Sequence, residues 1–499
     1  MSALLVGAKS LTLADVEDVA LRFKKVSLAP AARKRIERCY RYLQTVVRSG
    51  KTIYGVNTGF GPLSDVKVDQ KSIDELQVNF LRSHSVGVGS ALDERLVRAM
   101  LLLRAQSLSY GVSGVQVQTV QRLIDFLNRG VVPVVPIQGS VGASGDLAPL
   151  AHMSSVLIGE GEAFYKGRKM SGAQALKKAK LKPIRLGAKE GLALCNGTQF
   201  MTAHGVLLLL EAERLAEVAD LSGAMSLEAV RASAVAFDSL IHAVRPHKGQ
   251  VETARRLRQI LKSGGESQIS KSHHGCGKVQ DSYSFRCMPQ VHGASRDVFQ
   301  FVRSVLEKEI NSVTDNPLVF PAKKKILSGG NFHGQVLALA LDALTLAVAE
   351  LGSISERRVD KLMNPTFSDL PAFLAKEGGK NSGFMIVQYV AASLVSENKT
   401  LCHPASADSI PTSNDKEDHV SMGAWGARKC AMVIGNVRKV LAIELLSAAQ
   451  GIDFLRPLKT SKRLEQVHRW IRDRSKRVDR DRSLSHDISR IEEDLLLLT

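Results

Sequence analysis

The chain has 499 residues, 44% hydrophobic and 23% charged, which excludes a disordered or fibrous polypeptide and leaves room for two or more domains. A formal net charge of +19 favours an anionic partner, but aromatic residues make up only 5% and the densest basic run, 456–482, has acids interleaved. Nucleic-acid binding is therefore not expected to be the main function.

The first nine residues lack a basic start followed by an apolar core and a cleavage site, so no export signal is expected. Six cysteines without CxxC spacing read as reduced thiols of a cytoplasmic protein. Tyr54 lies in a loop with Gly55, Gly59 and Gly61, flexible enough to close over a site. Apolar spacing predicts helices over 96–109 and 117–129, the second closed by Gly130. The Pro/Gly-punctuated segment 131–146 is expected to be irregular. Asp146 then suits the cap of a helix over 147–158.

Beyond Asn196 the pattern becomes strongly helical, with long runs over 200–221, 333–364 and 426–450. Residues 336–348 are apolar nearly all round and need burial on every side, inside a bundle or between subunits. Asp342 and Glu350 interrupt that run, so no membrane-crossing segment and no membrane partner is expected. His273-His274-Gly275-Cys276 lacks a second ligand pair, so no metal is expected. The fold class is mainly α. Residues 1–196 form an N-terminal mixed region, and residues 197–499 a long-helix bundle with a basic helical tail.

The stretch Gly139 to Ser154, "GSVGASGDLAPLAHMS", carries the chemistry. It lacks the last glycine of a nucleophile elbow and the lysine of a phosphate loop. A tight bend could instead bring the Gly145 nitrogen onto the Ala143 carbonyl carbon, which glycine permits by having no Cβ. Loss of the carbonyl oxygen and the Ser144 hydroxyl as two waters would leave an electrophilic methylidene at a helix N-terminus.

This stretch resembles the Ala-Ser-Gly motif of the aromatic amino acid ammonia-lyases, which carry a methylidene-imidazolone. Further segments similar to that family follow in order: Tyr54–Gly61, Leu192–Gln199, Val279–Ala294, Ser328–Gly334 and His403–Gly423. From about Gly451 no motif is legible. The resemblance implies a long-helix bundle of the ammonia-lyase and fumarase-like type, although the fumarase-like signature loop is absent. It also implies a homotetramer with shared active sites and a prosthetic group made from Ala143, Ser144 and Gly145, without a metal.

By the same resemblance Tyr54 removes the β-proton and Arg286 grips the substrate carboxylate. Tyr283 and Asn196 hold the carboxylate and polarise the prosthetic ring, while Gln280 and Phe332 line the pocket. Attachment of substrate through its amine or through its ring stays open. The pair Ser83-His84 and the acid Glu417 resemble those of the histidine-selective members. A polar pair suits an imidazole, because a site built to satisfy hydrogen-bonding groups rejects apolar analogues. Glu417 can accept an imidazole N–H, contact the amine, or serve as a second acid/base. The expected reaction is conversion of L-histidine to trans-urocanate and ammonia. The rivals are a tyrosine or phenylalanine lyase or aminomutase, and, more remotely, a non-catalytic basic helical protein that binds anionic polymers.

Overall fold

The computed structural model describes residues 3–276 and 279–499. They form two compact units that interleave along the chain. The first comprises residues 1–207, 303–342 and 404–428; the second comprises 208–302, 343–403 and 429–499. This differs from the linear division at 196/197, because two later segments return to the first unit. Such returns leave no mark on local periodicity.

In the first unit, helix Glu94–Ser109 packs against Leu13–Leu21 and Val117–Arg129. Gly130 closes the last of these at φ +69°, a left-handed position that suits glycine. Small sheets fill the periphery. One is a parallel pair, Leu4–Val6 with Val26–Leu28. Another joins Val131–Pro133, Glu162–Tyr165 and Arg168–Ser171. Segment 131–146 is thus not wholly irregular: Val131–Pro133 and Pro136–Gln138 are short strands whose partners lie elsewhere in the chain. A further short strand, Lys325–Leu327, pairs with Leu318–Phe320.

The long helices span Gln199–Ala229, Gln335–Met363 and Gly423–Phe454; the first and third extend beyond the runs their sequence patterns mark, and the second lies within its run. Contrary to the sequence expectation, Glu190–Ala229 and Gln335–Met363 are long and apolar enough to cross a bilayer by length and composition. Their most apolar windows are 89% and 67% buried within the protein, as core helices are. The second unit encloses charges as well as apolar side chains. Arg358 and Glu444 pair with neither exposed, and Ser222, Ser226 and Ser355 all donate to the same carboxylate. His292 meets Asp220 at 2.9 Å, and Arg256 and Arg296 reach the same acid. A buried carboxylate with this many donors keeps its charge, and the arginines lower the Asp220 and Glu444 carboxyls against their burial.

Candidate active site

Three helices of the first unit, Ile73–His84, Leu147–Ser155 and Glu190–Cys195, pack against one another. Each brings a site residue at one of its ends. His84 closes the first, the Ala143-Ser144-Gly145 bend precedes the second, and Asn196 follows the third. The helix after the bend runs 147–155 and tightens into a 3₁₀ turn over 156–158, close to expectation.

Gly142 (φ +67°) and Gly145 (φ +76°) bracket Ala143-Ser144 in left-handed conformations. A Cβ on Gly145 would sit 2.3 Å from the Gly197 carbonyl oxygen, so two backbones approach here as only glycine allows. The bend is held from several sides. Asn196 Nδ2 donates to the Ser144 carbonyl at 2.8 Å. Met422 N donates to Val141 O at 2.8 Å, and Ser421 Oγ to Gly142 O at 3.0 Å. A bend clamped at its flanks and free of bulk at its centre fits the ring closure expected of Ala143-Ser144-Gly145.

Asp146 does not cap its own helix. Its carboxyl instead accepts from Met201 N at 3.0 Å and from Ser140 Oγ at 3.1 Å, while its own N–H donates to Gly197 O. It thereby ties the bend to the start of helix Gln199–Ala229. Complete burial pushes this carboxyl up to about 7.

Ser144 Oγ donates to Glu417 Oε1 at 2.6 Å. Thr412 Oγ1 donates to the other oxygen, Oε2, at 2.6 Å. Ser83 and His84 sit together, with Ser83 Oγ 3.0 Å from His84 Nδ1. That Nδ1 also faces the Phe80 carbonyl at 2.8 Å; a carbonyl only accepts, so Nδ1 carries the proton and Nε2 the lone pair. Burial pushes the imidazole below its ordinary value, against the opposing pull of the Phe80 carbonyl and Glu417, which favours the neutral ring.

Tyr54 is half-buried, and its hydroxyl oxygen lies 3.4 Å from the Gly61 amide that donates to it. Its loop adjoins the rest of the site through rings: Phe60 contacts Phe80 at 4.4 Å, and Phe80 stacks on His84 at 3.9 Å. Phe332, half-buried, precedes His333, whose Nε2 lies 3.1 Å from the His419 carbonyl. Gln280, Tyr283 and Arg286 belong to the second unit. There Gln280 is exposed, Tyr283 is 72% exposed, and the Arg286 guanidinium lies 5.0 Å over the Tyr283 ring. Sequence reasoning missed Thr412 and Ser421, and it misassigned the bonds of Asp146. The only signal for the first two is their place inside a family-like segment.

The profile of the aromatic amino acid lyase family matches residues 11–473. The chain belongs to that family. The match runs past Gly451, beyond which no motif is legible by eye. The chain is 52% identical over 505 residues to the histidine ammonia-lyase of Koribacter versatilis (strain Ellin345), covering 99% of this chain and 97% of that one. The solved histidine ammonia-lyase of Trypanosoma cruzi matches with a TM-score of 0.91 at 45% identity, over 99% of this chain and 93% of that one. A tyrosine aminomutase from Streptomyces globisporus matches with a TM-score of 0.94 at 36% identity, over 100% of this chain and 97% of that one. Backbone likeness therefore does not separate these activities, and side chains must.

Proposed function

We propose that the protein eliminates ammonia from L-histidine to give trans-urocanate, using a methylidene-imidazolone made from its own Ala143, Ser144 and Gly145. The observation that carries the reading is His84, its Nδ1 held by the Phe80 carbonyl so that Nε2 is left to meet a partner, in the same compact unit as Glu417 and the Ser144 bend. An imidazole N–H finds an acceptor in each of these two residues, whereas a benzene ring offers them nothing. Leaving such groups unsatisfied is costly, which disfavours phenylalanine. The 52% identity to a named histidine ammonia-lyase along almost the whole chain supports the same substrate.

The prosthetic group supplies an electron sink that eases removal of a weakly acidic proton and departure of an amine. The chain's residues do the rest. Gly142 and Gly145 allow the bend to close, and Asn196 holds the Ser144 carbonyl. Tyr54 takes the β-proton. Glu417 meets the amine or the imidazole and exchanges a proton there. Arg286 pairs with the substrate carboxylate through its planar fork, with Tyr283 beside it. Gln280 and Phe332 line the pocket.

The working form in this reading is a homotetramer in which subunits share active sites. Its support is apolar surface at helical spacing: Ile386, Tyr389 and Val390 are 59%, 59% and 41% exposed on one helix. Leu339 and Leu346 are 54% and 48% exposed on another.

The test is ammonia release and near-ultraviolet product absorbance with L-histidine, L-tyrosine and L-phenylalanine, beside a Ser144→Ala control. Urocanate from histidine alone, absent in the control, is expected. A cinnamate-type product from tyrosine or phenylalanine instead would overturn the substrate, and a β-amino acid product would identify a mutase.

A further inference from the structure

The Glu417 carboxylate is divided between two hydroxyls. Ser144 occupies Oε1 at 2.6 Å and Thr412 occupies Oε2, also at 2.6 Å. The first hydroxyl belongs to the bend that is chemically consumed when the prosthetic group forms. The second is a fixture. Thr412 and Glu417 also pair through their backbones, with Thr412 N donating to Glu417 O at 3.1 Å and Glu417 N to Thr412 O at 3.3 Å. A short hairpin thus places the threonine hydroxyl beside the acid it serves.

Its tip is built from Ser413, Asn414 and Asp415, all at positive φ (54°, 50° and 61°). Three successive non-glycine residues in that region are costly and persist only where surrounding contacts hold them. The tip also adjoins the tyrosine loop, since a Cβ on Gly61 would lie 3.9 Å from Ser413.

A glutamate side chain has three rotatable bonds, and ordering it costs much of its rotamer freedom. Glu417 is only half-buried, so packing alone does not fix it. A short bond from a β-branched side chain, stiff about its first torsion, does. We propose that Thr412 is the positioning residue for Glu417, holding one carboxylate oxygen so that the other faces the reacting centre. The inference rests on the acid/base role assigned to Glu417 above. It predicts that Thr412 acts through Glu417 and in no other way.

The experiment is a double-mutant cycle on the full-length protein. T412V, T412A and T412S are made in the native background and with Glu417→Gln, and intact mass confirms loss of two waters in each. T412V and T412A should lower kcat for histidine by roughly 10- to 100-fold while KM moves less than about threefold. T412S should stay within about threefold of the native rate, because it keeps the hydroxyl. With Glu417→Gln, T412V should cost less than about threefold more.

A full additional loss in the Gln background overturns the proposal. So does a T412S no better than T412V, a T412V as fast as native, or a T412V that no longer loses two waters. Where T412V does not fold, T412A carries the comparison. If the native protein turns over tyrosine or phenylalanine but not histidine, the substrate reading falls, while the same cycle on that substrate still judges Thr412. If E417Q is as active as native, both the role of Glu417 and this inference fall.

Discussion

Gly145→Ala puts one methyl group at the closest backbone approach in the site. Gly145 sits at φ +76°, where a side chain costs about 1–2 kcal/mol. The added Cβ would also lie 2.3, 2.6 and 2.8 Å from the O, C and N of Gly197, all backbone atoms. Relieving such overlap by shifting backbone costs roughly 1–3 kcal/mol more. Gly197 has little room to retreat, because its own Cα faces Arg104 Nη1, Gln199 Oε1 and the Thr314 carbonyl. Any retreat also disturbs its neighbour Asn196, whose amide holds the Ser144 carbonyl.

The expected cost is therefore about 2–5 kcal/mol, together with failure of the bend to close. Gly167→Ala is the matched control: φ is +74° in a hairpin turn, and nothing lies within 4 Å of the added Cβ. Thermal unfolding and intact mass are compared for both. Gly167→Ala should lose only the conformational part and still shed two waters. If Gly145→Ala unfolds at the same temperature as Gly167→Ala and also sheds two waters, the steric reasoning is wrong.

Asn196→Ala removes the 2.8 Å bond to the Ser144 carbonyl and should lower kcat by roughly 10- to 100-fold, read by steady-state urocanate formation. Lys189→Met leaves Asp315 buried without the ammonium that now lies 2.6 Å away, with neither side chain exposed. Denaturant unfolding should show a loss of about 3–5 kcal/mol, much of it recovered when Asp315→Leu is added. Asp146 sets a pH dependence: folded, its carboxyl holds a proton up to about 7, against an ordinary value of 3.8. Between those values the folded state binds more protons than the unfolded one, so this group makes stability fall as pH rises through that window. Asp146→Asn should flatten this part of the unfolding profile, and a profile as steep as native would refute the assignment.

The long helices were legible because their apolar positions repeat at helical spacing, and the bend was legible because its glycines and serine stand together in sequence. What periodicity could not carry was pairing at a distance. Ser421 acts on a residue 279 positions earlier in the chain and Met422 on the neighbouring Val141, and no local pattern predicts which acceptor they meet. Asp146 looks like a helix cap in sequence, yet its oxygens go to Met201 and Ser140 because the start of helix Gln199–Ala229 lies beside it. In the basic tail, helix Lys462–Arg472 buries Leu464, Val467 and Ile471, and acids of the same unit take up its flanking charges, as in Arg456–Glu465 and Arg474–Asp494. Charge counts register the residues but not these partners.

The first unit sorts three carboxyls into different tasks by environment alone. Asp146 and Glu309 are both raised by burial, and both bind the framework: Asp146, pushed up to about 7, to Met201 and Glu309 to Thr198. Asp146, with no exposed surface, is shut off from any substrate. Glu417 sits half-buried at the end of a hairpin, anchored on one oxygen and presenting the other at residue 144. Burial separates the two histidines that share an Nδ1 bond to a backbone carbonyl at 2.8 Å: His204 is buried and pushed down to about 4, whereas His84 is only half-buried, leaving its Nε2 lone pair to be met. Residue type alone would nominate all five groups. It is the pairing of a fixed atom with a presented one, on the same side chain, that distinguishes Glu417 and His84 as the pair able to meet an imidazole.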